Sequence, residues 1–254
     1  MNSLKSVEVK PIYLFLTGGG GAGKSHLIKA IYHTAVKTFS HPPFNPTLPT
    51  VLLMAPTGAA AINIDGTTVN TGLGIPKETG TYLPAMSDQK KTQYRLTLKE
   101  TKLLLIDEIS MVGNTTLLHV HQRLKEIFGS SDIFAGKSII AVGDLYQLPP
   151  IKKKAVFENF KIETYNLCHP WSVFKMTELT EIMRQKNDRA FTELLNRIRT
   201  ASHTENDIKV INSRCITPSN PNYPSDALHI WAENTPVNEY CSIPESFGVR
   251  AIVY

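Results

Sequence analysis

The chain has 254 residues, 42% hydrophobic and 19% charged, which is enough apolar material for a packed core and too little charge for a disordered polymer. Its net charge of +5 is uneven: residues 1–100 carry ten basic against five acidic side chains, residues 101–200 fourteen against eleven, and the remainder three against six. A basic front permits a polyanionic partner without requiring one.

In chain order, Ile12–Leu16 reads as a buried strand, and the glycine-rich Gly18–Ser25 leads from it into a helix over about Lys24–Lys37. His41–Thr50, with four prolines, is a connection before a second strand, Val51–Ala55. Gly72–Pro84, rich in glycine, threonine and proline, is another connection. Leu103–Ile106 and Ser138–Val142 are further apolar strands on either side of a helix over about Asn114–Phe128, whose Leu117, Val120, Leu124 and Ile127 recur at helical spacing. Lys175–Leu179 is a fifth strand, and Phe191, Leu194, Leu195 and Ile198 mark a helix over about Arg189–Arg199. The first four strands are nearly all apolar, as strands covered by helices on both faces are. The expected class is therefore α/β, with a mostly parallel sheet covered by helices on both faces. Three prolines in Thr217–Pro224 precede the apolar run Ala227–Trp231, so the expected division is a first domain over 1–225 and the beginning of a truncated second over 226–254.

Cys168, Cys215 and Cys241 have no paired spacing, which supports neither a disulfide framework nor a zinc site. No apolar run approaches the roughly 18 residues of a membrane span, and Met1–Lys10 lacks a signal peptide's apolar stretch. A soluble, intracellular protein is expected, with no membrane partner.

Three motifs carry chemistry. Gly18-Gly19-Gly20-Gly21-Ala22-Gly23-Lys24-Ser25 fits the phosphate-loop pattern GxxxxGK(S/T): backbone N–H groups and the helix N-terminus meet the β-phosphate, Lys24 the β/γ-phosphates, and the Ser25 hydroxyl Mg²⁺. Leu103–Ile106 ends in Asp107-Glu108; such a strand delivers Asp107 to the sheet edge where it can hold Mg²⁺ through water, and Glu108 is then the base for an attacking water. Ser138–Val142 runs into Gly143-Asp144-Leu145-Tyr146-Gln147-Leu148-Pro149-Pro150, where the Gln147 amide could report whether ATP or ADP is bound.

Together with Ala55-Pro56-Thr57-Gly58-Ala59-Ala60-Ala61 and Leu179-Thr180-Glu181-Ile182-Met183-Arg184-Gln185, these motifs resemble the PIF-one-type DNA helicases of superfamily 1B, relatives of the RecD helicases. The resemblance runs from about Ile12 to Tyr240, and GDxxQLPP with LTExxRQ is far more specific than a phosphate loop. It implies a RecA-like P-loop NTPase fold, ATP and Mg²⁺ as cofactors, and a 5′-to-3′ helicase acting on single-stranded and forked duplex DNA. It further implies that Pro56, Thr57 and Gly58 grip single-stranded DNA, that Gly66-Thr67-Thr68-Val69-Asn70-Thr71 is the next DNA motif, contacting through Thr68 and Asn70, and that Arg184 is an arginine finger on the γ-phosphate. Asn70 stands where the family usually has histidine, which removes a stacking surface. Nothing in Met1–Lys10 matches the family's adenine-reading glutamine segment, and the chain stops before the motifs of the second RecA-like domain, as an internal fragment would.

Other residues have plainer readings. Lys152-Lys153-Lys154 is either a DNA-backbone contact or a solvated lysine run. His119 and His121, two apart on a helix, are poor metal ligands, and Cys168-His169 beside Trp171 reads as packing at a loop. The expected catalytic set is Lys24, Glu108, Gln147 and Arg184, in a monomer of nucleus or mitochondrion. The rival expectation is a nucleotide-dependent single-stranded-DNA-binding module that does not unwind.

Overall fold

The computed structural model describes residues 10–40, 45, 47–77, 80, 82–160, 169–185, 187–217, 220, 221, 223, 229–231, 235 and 251–253. In chain order the elements are β1 (Tyr13–Gly18), α1 (Lys24–Phe39), β2 (Val51–Ala55), α2 (Gly58–Asn63), β3 (Thr67–Thr68), α3 (Val69–Leu73), α4 (Asp88–Leu98), β4 (Leu103–Ile106), α5 (Asn114–Phe128), β5 (Ser138–Gly143), β6 (Lys175–Leu179), α6 (Arg189–Arg199), α7 (Glu205–Asn212), β7 (His229–Trp231) and β8 (Ala251–Val253). The five strands and three helices expected from sequence all form. Three run further: β1 extends to Gly18, straight into the phosphate loop, α1 to Phe39 and β5 to Gly143. Helix α4, which the sequence did not announce, buries only Leu98 and so carries almost no apolar stripe; the Ser87 side chain caps it by accepting from Lys90 N.

The chain divides into two compact units, Met1–Ser202 and His203–Tyr254. The break lies ahead of the proline-rich Thr217–Pro224. The first unit is built on a six-stranded sheet in the order β3-β2-β4-β5-β1-β6, and every pairing in it is parallel. Its helical layers follow from strand alternation. Leu104 and Ile106 of β4 face one way, into a core with Met54, Ile139, Ala141, Leu117, Val120, Leu124 and Ile127. Leu103 and Leu105 face the other way, with Leu16, Leu53, Val142, Ile28 and Ala61. Strand β6 is different: it lies at the sheet edge and four of its five residues are exposed.

Helix α5 is buried nearly all round, because the turn at Ile133–Gly136 and the segment near Met86 cover its outer side. Its polar residues therefore need partners. Arg123 pairs with Glu126 and donates to Pro84 O (3.1 Å), while Glu126 accepts from Met86 N (2.7 Å). His121 Nδ1 accepts from Phe134 N (3.0 Å), and burial, aided by the Lys125 charge, pushes its pKa down to about 4. A histidine whose folded pKa is depressed contributes stability that is complete above its unfolded pKa, near 6.5, and is lost as pH falls toward 4. We expect up to about 3 kcal/mol to disappear across that window. Denaturant unfolding at a series of pH values should show His121→Gln flattening the slope, and an unchanged slope would refute the assignment to His121.

In the second unit, Thr204 and Asp207 form a reciprocal capping box at the start of α7. Strands β7 and β8 pair in parallel, Ile230 opposite Ile252. Ala227 and Leu228 of the expected apolar run lie outside the described residues, as do Cys168, Cys241 and the first nine residues. Cys215 is an exposed free thiol. Among the described residues no helix is long and apolar enough to cross a membrane.

Candidate functional site

In a wholly parallel sheet every strand points its C-terminal end to the same edge, where ligands of α/β folds bind. Here that edge collects the phosphate loop after β1, Pro56-Thr57 after β2, Asp107-Glu108 after β4, Asp144 after β5 and the Thr180–Gln185 segment after β6.

The phosphate loop needs glycine at position 21 for two reasons. Gly21 has φ +80°, and a Cβ there would sit 2.6 Å from Cβ of Arg184. The Gly21 carbonyl accepts from Met183 N (2.9 Å) and Arg184 N (3.2 Å), so the segment after β6 braces the loop. Lys24 Nζ donates to the carbonyls of Gly18 (2.7 Å) and Gly19 (3.1 Å), bonds that an incoming phosphate oxygen would replace. Burial lowers the Lys24 pKa, against the opposing pull of Asp144, Glu108 and Asp107. Ser25 is exposed in the first turn of α1, and Gly23 before it offers no side chain to occupy the helix's leading N–H groups.

Asp107 is buried and its Oδ1 accepts from Glu108 N (2.9 Å). Glu108 stands in the left-handed region at φ +49°, a strain of about 1–3 kcal/mol for a non-glycine residue. Burial raises the pKa of both carboxyls, and for Glu108 the neighbouring Asp107 charge adds to it. A carboxylate with a raised pKa beside a phosphate loop is suited to general-base work near neutral pH. Gly143 is what lets β5 pass so close: a Cβ there would lie 2.9 Å from Ile109 N, inside the turn that holds Glu108.

Asp144, the second residue of GDxxQLPP, is fully buried. Arg199 holds it bidentately, Nε on Oδ2 and Nη2 on Oδ1, both at 2.7 Å. Tyr146 N (3.1 Å) and the Gln147 amide (3.1 Å) also donate to it. Burial works to raise the Asp144 pKa, but these bonds outweigh it and hold the carboxyl below its ordinary value. Gly19, Gly20, Asp144, Gln147, Arg184 and Arg199 all line one cleft of about 360 Å³. The sequence-expected Gln147 and Arg184 thus come together against the phosphate loop.

A second cleft, of about 190 Å³, brings Pro56, Thr57 and Asn70 together with Ile151 and Lys153. Thr57 caps α2 by accepting from Ala60 N (3.2 Å). Asn70 Nδ2 donates to the carbonyls of Ile75 (3.1 Å) and Pro76 (3.2 Å), bracing its own turn. Lys153 Nζ donates to Thr116 Oγ1 (2.9 Å). Gly58, exposed at the start of α2, and Thr68, which caps α3, are chain neighbours of this cleft and not among its lining residues. His169 caps the short turn at Pro170–Val173, accepting from Trp171 N (3.1 Å).

The family model for PIF1-like helicases matches residues 3–209. The chain belongs to the PIF1-like helicase family. It is 32% identical over 196 residues to ATP-dependent DNA helicase PIF1 of Candida albicans, covering 74% of this chain and 21% of that protein. It is 31% identical over 204 residues to ATP-dependent DNA helicase RRM3 of Saccharomyces cerevisiae, covering 78% of this chain and 26% of that protein. Among solved structures, the Pif1 helicase of Candida albicans aligns with a TM-score of 0.72 at 26% identity, covering 91% of this chain and 50% of that one. The Bacteroides Pif1 helicase in complex with ADP-AlF3 and single-stranded DNA aligns with a TM-score of 0.67 at 26% identity, covering 96% and 56%. The chain thus spans about a quarter of these curated relatives and about half of the solved chains, and its mostly parallel sheet with flanking helices is the RecA-like fold of the family.

Within this PIF1-like frame, sequence reading missed Asp144, Arg199 and the particular place of Lys153. Asp144 was visible inside its motif. Arg199 left one trace: it lies four residues after Leu195, on the apolar side of α6, where a charge is out of place unless it is paired.

Proposed function

We propose that the chain is the ATP-binding part of an ATP- and Mg²⁺-dependent DNA helicase that moves 5′ to 3′ on single-stranded DNA, acting as a monomer on forked duplexes in nucleus or mitochondrion. The observation that carries the reading is the single sheet edge at which the phosphate loop, Asp107-Glu108, Gln147 and Arg184 meet. In this reading residues 1–225 are the first RecA-like domain and 226–254 open a second; the compact units divide earlier, after Ser202, and the parallel β7–β8 pair lies wholly in the later part.

In this reading the Gly18–Gly23 amides and the α1 N-terminus take the β-phosphate, and Lys24 exchanges its loop carbonyls for β/γ-phosphate oxygens. Glu108 accepts a proton from the attacking water, while Gln147 and Arg184 meet the γ-phosphate. Ser25 and, through water, Asp107 would hold Mg²⁺, which supplies charge neutralisation on the phosphates. The donors fit that ion: both are oxygens, an exposed hydroxyl and a buried carboxyl, which suits a hard cation that also keeps waters and phosphate oxygens. Single-stranded DNA lies along Pro56, Thr57, Gly58, Thr68 and Asn70, and Lys153, sharing the Thr57–Asn70 cleft, adds a phosphate contact.

The test is ATP turnover of the full-length protein with and without single-stranded DNA, followed by displacement from forks with a 5′ or a 3′ tail. Stimulation by DNA, its loss in Lys24→Ala, and unwinding from the 5′ tail are expected. Turnover indifferent to single-stranded DNA would sink the reading. Stimulated turnover without displacement from either fork would leave the narrower function, a nucleotide-dependent DNA-binding module.

A further inference from the structure

The most tightly held polar cluster at the sheet edge joins two residues of the GDxxQLPP motif to an arginine outside every motif. Asp144 and Arg199 are 55 residues apart in the chain, yet their side chains meet in two parallel 2.7 Å bonds. The carboxylate has no exposed surface, and the arginine side chain is only 16% exposed. A buried carboxylate without a fixed cation is strongly unfavourable, and the planar guanidinium fork supplies both charge and direction. The same guanidinium lies 4.6 Å from the centroid of the Tyr146 ring, a cation–π contact with a side chain of the same turn.

Gln147 is where this matters. Its amide donates to Asp144 Oδ2, the oxygen that Arg199 Nε also occupies, and its backbone N donates to Asp144 O (2.9 Å). With Arg199 in place, Asp144 cannot turn, and the Gln147 amide is held at the cleft it shares with Gly19, Gly20 and Arg184. Without the fork, the Asp144 carboxylate would keep only the bonds from Tyr146 N and the Gln147 amide, and Gln147 would be held less firmly with it. The guanidinium sits at the C-terminal end of α6, whose Thr192 Oγ1 donates to Gln185 O (3.1 Å) and which thereby also touches the segment bracing the phosphate loop.

We propose that Arg199 is a positioning residue for nucleotide turnover, setting Gln147 through the Asp144 carboxylate and tying the GDxxQLPP loop to α6. The inference rests on the ATP-site reading above. Arginine is required rather than any cation, because lysine keeps the charge and loses the two-pronged geometry.

The experiment is a double-mutant cycle on the full-length protein, with ATP turnover measured at saturating single-stranded DNA. Arg199→Lys should lower kcat about tenfold, with KM for ATP within about threefold, and should match Gln147→Ala. The Arg199→Lys/Gln147→Ala double variant should be no slower than Gln147→Ala alone, since both changes remove one function. Wild-type kcat in Arg199→Lys, or a double variant as slow as the product of the singles, would overturn the proposal. A purely structural role would lower thermal stability and leave the cycle additive. If Arg199→Lys fails to fold, the pair Asp144→Asn/Arg199→Gln, which leaves no unpaired charge, is put through the same cycle with the same criteria. Lys24→Ala separates the two levels: full turnover in that variant refutes the ATP-site reading, whereas a dead Lys24→Ala beside an unimpaired Arg199→Lys refutes only the role of Arg199.

Discussion

Glu108→Gln is expected to lower DNA-stimulated ATP turnover by about a hundredfold or more, the range lost when a positioned general base is removed. Strand β4 carries the side chain to the sheet edge, a left-handed turn at φ +49° aims it, and the missing Cβ of Gly143 leaves room for that turn. Glutamine keeps the shape and cannot take a proton. Nucleotide binding, followed by a fluorescent ATP analogue, should stay within about twofold, so that the loss falls on kcat rather than on binding. The pH dependence has a definite sign: burial and the Asp107 charge raise the Glu108 pKa, so the base is lost as pH falls through that raised value. The acid limb of wild-type turnover that belongs to this base should be absent from the residual turnover of Glu108→Gln. A variant retaining about a third or more of wild-type turnover would rule out Glu108 as the base.

Arg184→Ala should cost more, about a thousandfold in kcat, the lower end of what arginine fingers contribute. The substitution is a clean one. The loop is braced by the Arg184 backbone N on Gly21 O and by Cβ against Gly21, and alanine retains both. What is removed is the side chain beyond Cβ, guanidinium included, from a residue that lines the cleft with Gln147 and Gly19. Thermal unfolding should be unchanged within about 0.5 kcal/mol, as for other substitutions that leave packing intact. Single-turnover hydrolysis measured beside it would assign the defect to the chemical step. An arginine that merely braces the loop would give the reverse pattern: lowered stability with turnover falling only a few-fold.

Much of this architecture was legible because its signals are local. A run of apolar residues such as Leu103–Ile106 makes a strand wherever it sits, and GxxxxGK(S/T) bends the same way in any chain because glycine torsions and a helix N-terminus need no distant partner. The motifs after β1, β4 and β5 were therefore identifiable from order alone. Elements with weak local signals escaped, as α4 did by burying only Leu98, and the two-residue β3 did by being too short to show a period.

What the sequence by itself determined was the inventory: the five longer strands of the main sheet, the phosphate loop, the acidic pair, the GDxxQLPP turn, and through them the family. Which residues meet was decided only by the tertiary structure. Strand order places β5 between β1 and β4, so Asp144 and Gln147 stand between the phosphate loop and Glu108 rather than beside either in sequence. Arg199 meets Asp144 and Arg123 meets the Pro84 carbonyl for one physical reason. A buried charge takes whichever partner the packing of distant elements brings within about 3 Å, and no local propensity encodes that choice.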